Sequence, residues 1–234
     1  YLSIEKILGY SKSDCIIHSN KELSYNNIIS LENIINDIKQ NIPIQYILGE
    51  AHFYDLKFKV NSSTLIPRGE TEELVQYILL HDFISVLEIG TGSGCIAVSI
   101  AKNSNAKITA IDNSIGALEI AKSNAVLNSV EINFQLRDVF NFSDIKKYDL
   151  IVSNPPYVLE SEKKLMDKNV LDYEPHNALF VSDNDPLAYY KEIAKIATNN
   201  LNKNGLLFFE INENYSGQMQ MLSEGGSHVG KIKL

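Results

Sequence analysis

From residue 69 onward, short apolar segments alternate with helical segments, and this alternation constrains the fold more than any other feature of the chain. The predicted strands are residues 85–89, 107–111, 132–136, 148–152 and 205–211, and the predicted helices are residues 70–80, 96–102, 115–125 and 187–201. Strands that are apolar on both faces are typical of a parallel sheet covered by helices on each side. The sequence therefore predicts an α/β fold with a doubly wound, mostly parallel sheet.

The first 45 residues carry a different, helical pattern. Apolar residues recur at helical spacing over 28–38 with Ser24 as the predicted N-cap, and a shorter helix over 2–8 should end near Gly9. Residues 52–60 alternate as in a hairpin strand. We therefore divide the chain into a helical domain at 1–45, a connecting hairpin and linker at 46–68, and an α/β domain at 69–234.

Composition and charge exclude several function classes. No segment approaches the roughly 18 consecutive apolar residues that a membrane span requires, and the two cysteines and five histidines show no metal-ligand spacing. The net charge of −8 disfavours a nucleic-acid partner, because binding to phosphates requires clustered Lys and Arg. We expect a cytoplasmic protein with no membrane segment, no metal and no direct nucleic-acid partner.

A glycine-rich run, Glu88-Ile89-Gly90-Thr91-Gly92-Ser93-Gly94, closes the first strand and opens a helix. Alternate glycines allow a sharp turn that a ligand can approach closely, although a plain strand-to-helix turn would look the same. The third glycine comes one residue earlier than in the dinucleotide-binding fingerprint, and this variant resembles motif I of S-adenosylmethionine-dependent methyltransferases. That resemblance assigns cofactor contacts to Glu88, Gly90, Thr91, Gly92, Ser93 and Gly94.

Acidic residues follow the next two strands. Asp112 ends the second strand, where a carboxylate can accept hydrogen bonds from both ribose hydroxyls of a bound nucleoside. The alternative for Asp112 is a role in capping the next helix. Asp138 and Val139 follow the third strand and are predicted to lie near the adenine, with helix capping or turn formation as the alternative for Asp138.

The most specific signal is Asn154-Pro155-Pro156-Tyr157 at the end of the fourth strand. Two prolines can simply form a turn, but the tetrad resembles the motif of methyltransferases that modify a planar amino nitrogen. The Asn154 side-chain oxygen and the Pro155 carbonyl would accept the two N–H bonds of the substrate, Pro156 would stiffen the loop, and Tyr157 would pack against the flat substrate group. We predict Asn154, Pro155 and Tyr157 as catalytic residues, with Asn154 also facing the cofactor's methyl group.

Three further segments, residues 43–49, 64–72 and 173–179, occur with these motifs in the order found in HemK/PrmC protein-(glutamine-N5) methyltransferases. The chain resembles that family from about Pro43 to Glu210. The resemblance implies a class I, Rossmann-like methyltransferase fold with a small N-terminal helical domain that docks the protein substrate. It implies S-adenosylmethionine as methyl donor, released as S-adenosylhomocysteine, and the Gly-Gly-Gln glutamine of peptide-chain release factors as acceptor. We expect a monomer.

The segment around residues 68–72 favours the release-factor branch, because ribosomal-protein glutamine methyltransferases usually read Pro-Arg-Ser-Pro there. Gly69 stands where the family usually has proline, and Arg68 is expected to pair with Glu70 or Glu72. A ribosomal-protein glutamine methyltransferase, a nucleic-acid amino-methyltransferase of the N6-adenine type and a non-catalytic nucleotide-binding module remain as alternatives.

A methyltransferase sheet would continue after residue 211 with a helix and an antiparallel pair of strands. Residues 215–222 can form that helix, but residues 223–234 are too few and too glycine-rich for the pair. We expect the C-terminal strands of the sheet to be incomplete.

Overall fold

A computed structural model describes residues 1–211 and 229–231 of the chain. The helices are α1 (Leu2–Leu8), α2 (Lys12–Ile17), α3 (Tyr25–Lys39), α4 (Ile44–Leu48), α5 (Gly69–Ile78), α6 (Cys95–Asn103), α7 (Ile115–Leu127), α8 (Lys168–Leu171), α9 (His176–Leu179) and α10 (Ala188–Asn200). The strands are β1 (Glu50–Phe53), β2 (Leu56–Lys59), β3 (Ser85–Ile89), β4 (Lys107–Asp112), β5 (Asn133–Leu136), β6 (Tyr148–Ser153), β7 (Val158–Leu159), β8 (Phe180–Val181), β9 (Leu201–Phe209) and β10 (Val229–Lys231). Two 3₁₀ helices lie at Val139–Asn141 and Glu160–Leu165.

The N-terminal helices have the ends that local chemistry predicts. Gly9 ends α1 in the left-handed conformation, with φ of 69°, and the Ser24 hydroxyl accepts a hydrogen bond from the Asn27 N–H at the start of α3. The sequence pattern missed α2, which begins with a capping box between Ser11 and Asp14. Among the described residues, no helix is both long and apolar enough to cross a bilayer.

The alternating run at 52–60, predicted as a strand of the connecting hairpin, contains the end of β1, the turn and all of β2. Tyr54 and Asp55 both have positive φ, 50° and 58°, which is typical of the two-residue turn that joins β1 to β2. The hairpin is anchored by Phe53 and Phe58, which are buried and meet edge to face with ring centroids 6.0 Å apart. The hairpin therefore belongs to the same core as the sheet.

The central sheet has six strands in the order β10-β9-β6-β3-β4-β5, and every pairing described is parallel. The chain adds β4 and β5 on one side of β3 and then returns to place β6 on the other, which creates a switch point between β3 and β6. The doubly wound α/β fold is confirmed. The strand predicted at 205–211 instead begins at Leu201, directly after α10, and ends at Phe209. The helix predicted at 215–222 lies outside the described residues, and among the described residues β10 pairs parallel to β9.

Both faces of the sheet are buried because helices cover them, and successive side chains of each strand point to opposite faces. One face packs against α5, α6, α7 and the hairpin, and the other packs against α10. The residues that face the first side include Val86, Ile108, Leu150, Val152 and Phe208. Those that face the second side include Leu87, Ile111, Ile151, Leu207 and Phe209. This packing leaves the two ends of the strands as the places where polar residues can gather.

Asn124 on α7 ties three elements together through one fully buried amide. Its Oδ1 accepts a hydrogen bond from the Lys59 N–H at 2.6 Å. Its Nδ2 donates to the Lys59 carbonyl at 2.9 Å and to the Ser93 carbonyl at 2.8 Å. The amide thus satisfies backbone groups of β2 and of the glycine turn that have no strand partner there.

We expect Asn124→Ala to lower the free energy of unfolding by about 2–3 kcal/mol, because it leaves buried backbone groups without partners. Urea denaturation followed by circular dichroism measures this change. The matched control is Asn103→Ala, which removes an exposed amide at the end of α6 and should cost no more than about 0.5 kcal/mol. Equal losses in the two variants would contradict the structural role of Asn124.

Candidate active site

A cleft of about 930 Å³, including its open mouth, lies at the carboxyl ends of the parallel strands. It sits at the switch point between β3 and β6, where open α/β sheets bind their ligands. Its walls come from the glycine turn, the end of β4 and the loops after β5 and β6. Residues 65–68 and the α9 residues Asn177 and Ala178 complete it. The structure therefore brings the main sequence motifs around one space.

The glycine turn is held in place by its neighbours. The Gly90 and Thr91 N–H groups donate to the Ile111 carbonyl, at 2.9 and 3.0 Å. At Gly94, φ is 80° and a side-chain Cβ would approach the Cβ of Ala121 to 3.1 Å, so only glycine fits without movement of α7. Gly90, Thr91, Gly92 and Ser93 line the cleft, whereas Gly94 lies behind it against α7.

Glu88 lies beneath the turn and does not line the cleft. Its side chain is buried, one carboxyl oxygen accepts a hydrogen bond from the Thr91 hydroxyl, and Oε1 has no partner among the described residues. Burial raises the pKa of Glu88 to about 8, against the opposing effect of the Thr91 hydrogen bond. The geometry makes Glu88 a support for the turn, because β3 turns its side chain into the protein interior.

Asp112 ends β4 and lines the cleft directly. Its Oδ2 accepts from the Gly92 N–H at 2.8 Å and its Oδ1 accepts from the Ser114 N–H at 2.9 Å. The N-cap of α7 is Ser114, so capping does not consume the carboxylate. Burial raises the pKa of Asp112, and the backbone N–H groups oppose that rise. Each oxygen keeps a lone pair for a hydroxyl donor.

The two residues predicted after the third strand are placed differently from each other. Val139 is buried and lines the cleft, together with Arg137 and Tyr189. Asp138 is the N-cap of the 3₁₀ helix, where its Oδ1 accepts from the Phe140 N–H at 2.9 Å, and it does not line the cleft. The capping role that competed for Asp138 is therefore present in the structure.

The loop after β6 brings Asn154, Pro155 and Pro156 to the cleft wall. Just before it, the Ser153 hydroxyl donates to the Ile89 carbonyl at 2.7 Å, which fastens the end of β6 to the end of β3. Tyr157 lies behind the wall, and its hydroxyl donates to Glu210 Oε1 at 3.4 Å. Burial raises the pKa of Tyr157 to about 12, so its hydroxyl stays protonated.

Arg68 pairs with Glu174, not with Glu70 or Glu72 as the sequence suggested. Its Nη2 lies 2.5 Å from Glu174 Oε1, and the Ile66 N–H donates to Glu174 Oε2 at 3.1 Å. Glu72 instead accepts a hydrogen bond from the Tyr54 N–H. The ion pair is long-range because the segment that contains Glu174, just before α9, lies against residues 66–68. Sequence spacing alone could not show that proximity.

Sequence reasoning missed Thr71 and Glu210. Thr71 lines the cleft at the start of α5, and its hydroxyl donates to Glu210 Oε2 at 2.7 Å. The signal for Glu210 was an acidic residue near the end of an apolar strand, as Asp112 is near the end of β4, but the predicted strand at 205–211 included it. Among the described residues, no group of three or more His, Cys, Asp or Glu side chains is arranged to hold a metal ion.

Comparisons with known proteins agree with this arrangement. Residues 1–49 match the PrmC N-terminal domain, and residues 69–171 match the Methyltransferase small domain. The release factor glutamine methyltransferase of Flavobacterium psychrophilum is 47% identical, over 91% of this chain and 78% of its own. That of Bacteroides thetaiotaomicron is 44% identical, over 95% and 80%. The ribosomal protein L11 methylase of Lactobacillus delbrueckii subsp. bulgaricus shares the fold, with 20% identity and a TM-score of 0.50 over 69% of this chain and 70% of its own.

The residues around the cleft fit the S-adenosylmethionine that the glycine turn implies. Asp112 presents free carboxylate lone pairs for ribose hydroxyls, and Gly90 and Gly92 leave no side chain between the turn and the cleft. Val139 and Ile111 provide an apolar surface for a purine ring beside them. These residues therefore match a nucleoside bound beside the ends of β3 and β4. The Asn154 loop, at the end of β6, lies on the other side of β3.

We expect Asp112→Ala to weaken the binding of S-adenosylhomocysteine by about 10–100-fold, because hydrogen bonds to a charged group contribute roughly 1.5–3 kcal/mol. Isothermal titration calorimetry measures the dissociation constant. Glu119→Ala is the control, since it removes the same charge from an exposed position on α7. An unchanged dissociation constant in Asp112→Ala would contradict the assigned contact.

We expect the stability conferred by Glu88 to depend on pH. Its pKa in the folded protein, about 8, lies above the usual 4.5, so its contribution is complete below pH 4.5 and is lost as the pH rises toward 8. Glu88→Gln stays neutral and should lack this loss. Urea denaturation at pH 5, 6.5 and 8 compares the two proteins, with Glu119→Gln as the exposed control. Parallel pH profiles for wild type and Glu88→Gln would rule out the perturbed carboxyl.

Proposed function

The chain belongs to the family of release factor glutamine methyltransferases, and from this premise we propose that it methylates the side-chain nitrogen, N5, of the Gly-Gly-Gln glutamine in peptide-chain release factors. It is an S-adenosylmethionine-dependent methyltransferase of the doubly wound α/β class. The observation that carries the choice of acceptor is the Asn154-Pro155-Pro156 wall, which opens on the same cleft as Asp112 and the glycine turn.

The chemistry of an amide acceptor explains what this wall must do. The nitrogen of an amide is a poor nucleophile because its lone pair is delocalised into the carbonyl. The Asn154 side-chain oxygen and the Pro155 carbonyl can each accept a hydrogen bond from one of the two N–H groups of the substrate amide. These two hydrogen bonds orient the nitrogen lone pair and favour the positive charge that develops on nitrogen. When bound, S-adenosylmethionine supplies an electrophilic methyl group and leaves as S-adenosylhomocysteine. The surplus proton can pass to water afterwards, so these residues need no general base.

The rigidity of the loop serves this role. Pro155 is buried, and the prolines at 155 and 156 restrict the backbone on both sides of the Pro155 carbonyl. The Ser153 hydroxyl bond to the Ile89 carbonyl holds the base of the loop. Acceptors that are already in place do not have to be ordered when the substrate arrives, and electrostatic stabilisation of this kind is most effective when preorganised.

The finer assignments of partner and location belong to the same proposal. We assign substrate docking to the helical domain at 1–45, which exposes Ile16, Ile17 and Tyr25 by 71%, 71% and 77%. Exposed apolar side chains such as these can contribute to a protein-binding surface. We propose that the protein acts as a monomer in the cytoplasm without direct nucleic-acid contact, in keeping with its net charge of −8.

Mass spectrometry of a release factor incubated with this protein and S-adenosylmethionine tests the function. We expect one added methyl group, mapped to the Gly-Gly-Gln glutamine. Ribosomal protein and DNA are tested as alternative acceptors in separate reactions. Methylation of either of these, with none on the release factor, would overturn the proposed acceptor.

We expect Asn154→Ala to slow methyl transfer by roughly 10²-fold or more, since it removes a preorganised acceptor. Binding of S-adenosylhomocysteine should stay within about threefold of wild type, because Asp112 and the glycine turn are intact. Single-turnover assays and calorimetry measure the two quantities. Asn103→Ala, at the far end of α6 from the cleft, is the matched control. Unchanged turnover in Asn154→Ala would contradict the catalytic role.

A further inference from the structure

A buried hydrogen-bond chain connects the wall of the cleft to an acid behind it. Thr71 from α5 donates its hydroxyl to Glu210 Oε2 at 2.7 Å, and Asn154 Nδ2 donates to the Thr71 hydroxyl oxygen at 3.5 Å. Tyr157 donates to the other oxygen, Glu210 Oε1, at 3.4 Å. These hydrogen bonds join α5, the residue that follows β9 and the loop after β6.

The direction of these hydrogen bonds is set by the Glu210 carboxylate. When Glu210 is ionised, its carboxylate can only accept hydrogen bonds, so the Thr71 hydroxyl points its proton at Glu210. The Thr71 oxygen can then only accept from Asn154. This leaves one orientation for the Asn154 amide, in which Nδ2 faces Thr71 and Glu210 and Oδ1 faces away from them.

Glu210 is itself held firmly. Its side chain is buried, its N–H donates to the Ser153 carbonyl at 3.2 Å, and its carbonyl accepts from the Tyr190 hydroxyl at 3.1 Å. Burial raises the pKa of Glu210, and the hydrogen bonds from Thr71 and Tyr157 oppose that rise. The Thr71 and Tyr157 hydroxyls favour the ionised form, in which the carboxylate only accepts hydrogen bonds.

We propose that Glu210 is a positioning residue that acts through Thr71 to keep the Asn154 side-chain oxygen turned toward the substrate amide. The proposal rests on the proposed function, in which the substrate nitrogen offers two N–H donors. Rotation of the Asn154 amide by 180° would set its own N–H groups against those of the substrate and abolish the acceptor. Asparagine alone cannot resist that rotation, because its two ends are almost equal in size. The carboxylate behind it makes the two orientations unequal.

The first test is Glu210→Gln. Glutamine keeps the size but can donate as well as accept, so the Thr71 hydroxyl and the Asn154 amide are free to reverse. We expect kcat to fall at least tenfold, with KM for S-adenosylmethionine and the dissociation constant of S-adenosylhomocysteine within threefold of wild type. An unchanged kcat would overturn the proposal, and so would a loss confined to KM.

A second pair of variants applies if Glu210→Gln does not fold. Thr71→Val removes the hydroxyl and keeps the shape, whereas Thr71→Ser keeps the hydroxyl. We expect Thr71→Val to lose at least tenfold in kcat and Thr71→Ser to recover most of that loss. Equal activities of the two variants would show that the hydroxyl relay is not used.

The structural control is Asp149→Asn, at the opposite end of β6. Asp149 accepts hydrogen bonds from the Ile84 and Ser85 N–H groups, both at 3.0 Å, and lies away from the cleft. This variant also replaces a structural carboxylate by its amide, and we expect lower thermal stability with kcat unchanged. A drop in kcat as large as that of Glu210→Gln would mean that the effect is general destabilisation.

A readout that needs no acceptor separates this proposal from the function on which it rests. The side-chain NH₂ resonances of Asn154, assigned by their absence in Asn154→Asp, should exchange with water at least tenfold more slowly in wild type than in Thr71→Val. Equal exchange rates would overturn the positioning role even if the release factor is methylated. Slow exchange in wild type, with methylation of a different acceptor, would refute the proposed function alone.

Discussion

Parallel pairing of the central strands is the constraint on which the site depends. In register, Ile89 lies beside Ile111 and Ser153, and Ser153 lies beside Phe209. Because parallel strands end at the same edge, the residues that follow them are brought together even though they are far apart in the chain. The glycine turn, Asp112, Asn154 and Glu210 each follow or end one of these strands, so the hydrogen-bond ladder of the sheet sets their spacing.

The site also depends on two buried carboxyl groups with different surroundings. Glu88 has one hydroxyl donor and an oxygen without a partner among the described residues, so burial dominates and its pKa rises to about 8. Burial also raises the pKa of Glu210, but the hydrogen bonds that it accepts from Thr71 and Tyr157 oppose that rise. Burial of a charge is costly unless hydrogen bonds compensate it. The number of donors therefore separates an acid that supports a turn from one that can orient a neighbouring amide.

Much of the fold could be predicted from local patterns. The apolar runs located β3, β4 and β6 to within one residue, because strands buried on both sides carry a nearly continuous apolar signal. Boundaries failed where the local signal was ambiguous. Residues 201–204 are largely polar, yet they form the start of β9. Residues 52–60 contain a turn at Tyr54 and Asp55, and although Asp tolerates positive φ, Tyr54 is not a residue type that signals such a turn.

The sequence by itself determined the order of the motifs and the strand ends at which Asp112 and Asn154 stand, because those depend on residue type and on the strand each follows. Only the tertiary structure decided which side chains meet. Arg68 pairs with Glu174, and Thr71 donates a hydrogen bond to Glu210, which is 139 positions away in the sequence. The tertiary structure also decided that the Glu88 side chain is buried beneath the glycine turn that follows it. Such contacts arise from the packing of helices and loops against the sheet edge, which sequence spacing does not encode, whereas strand period and motif chemistry are local properties of the chain.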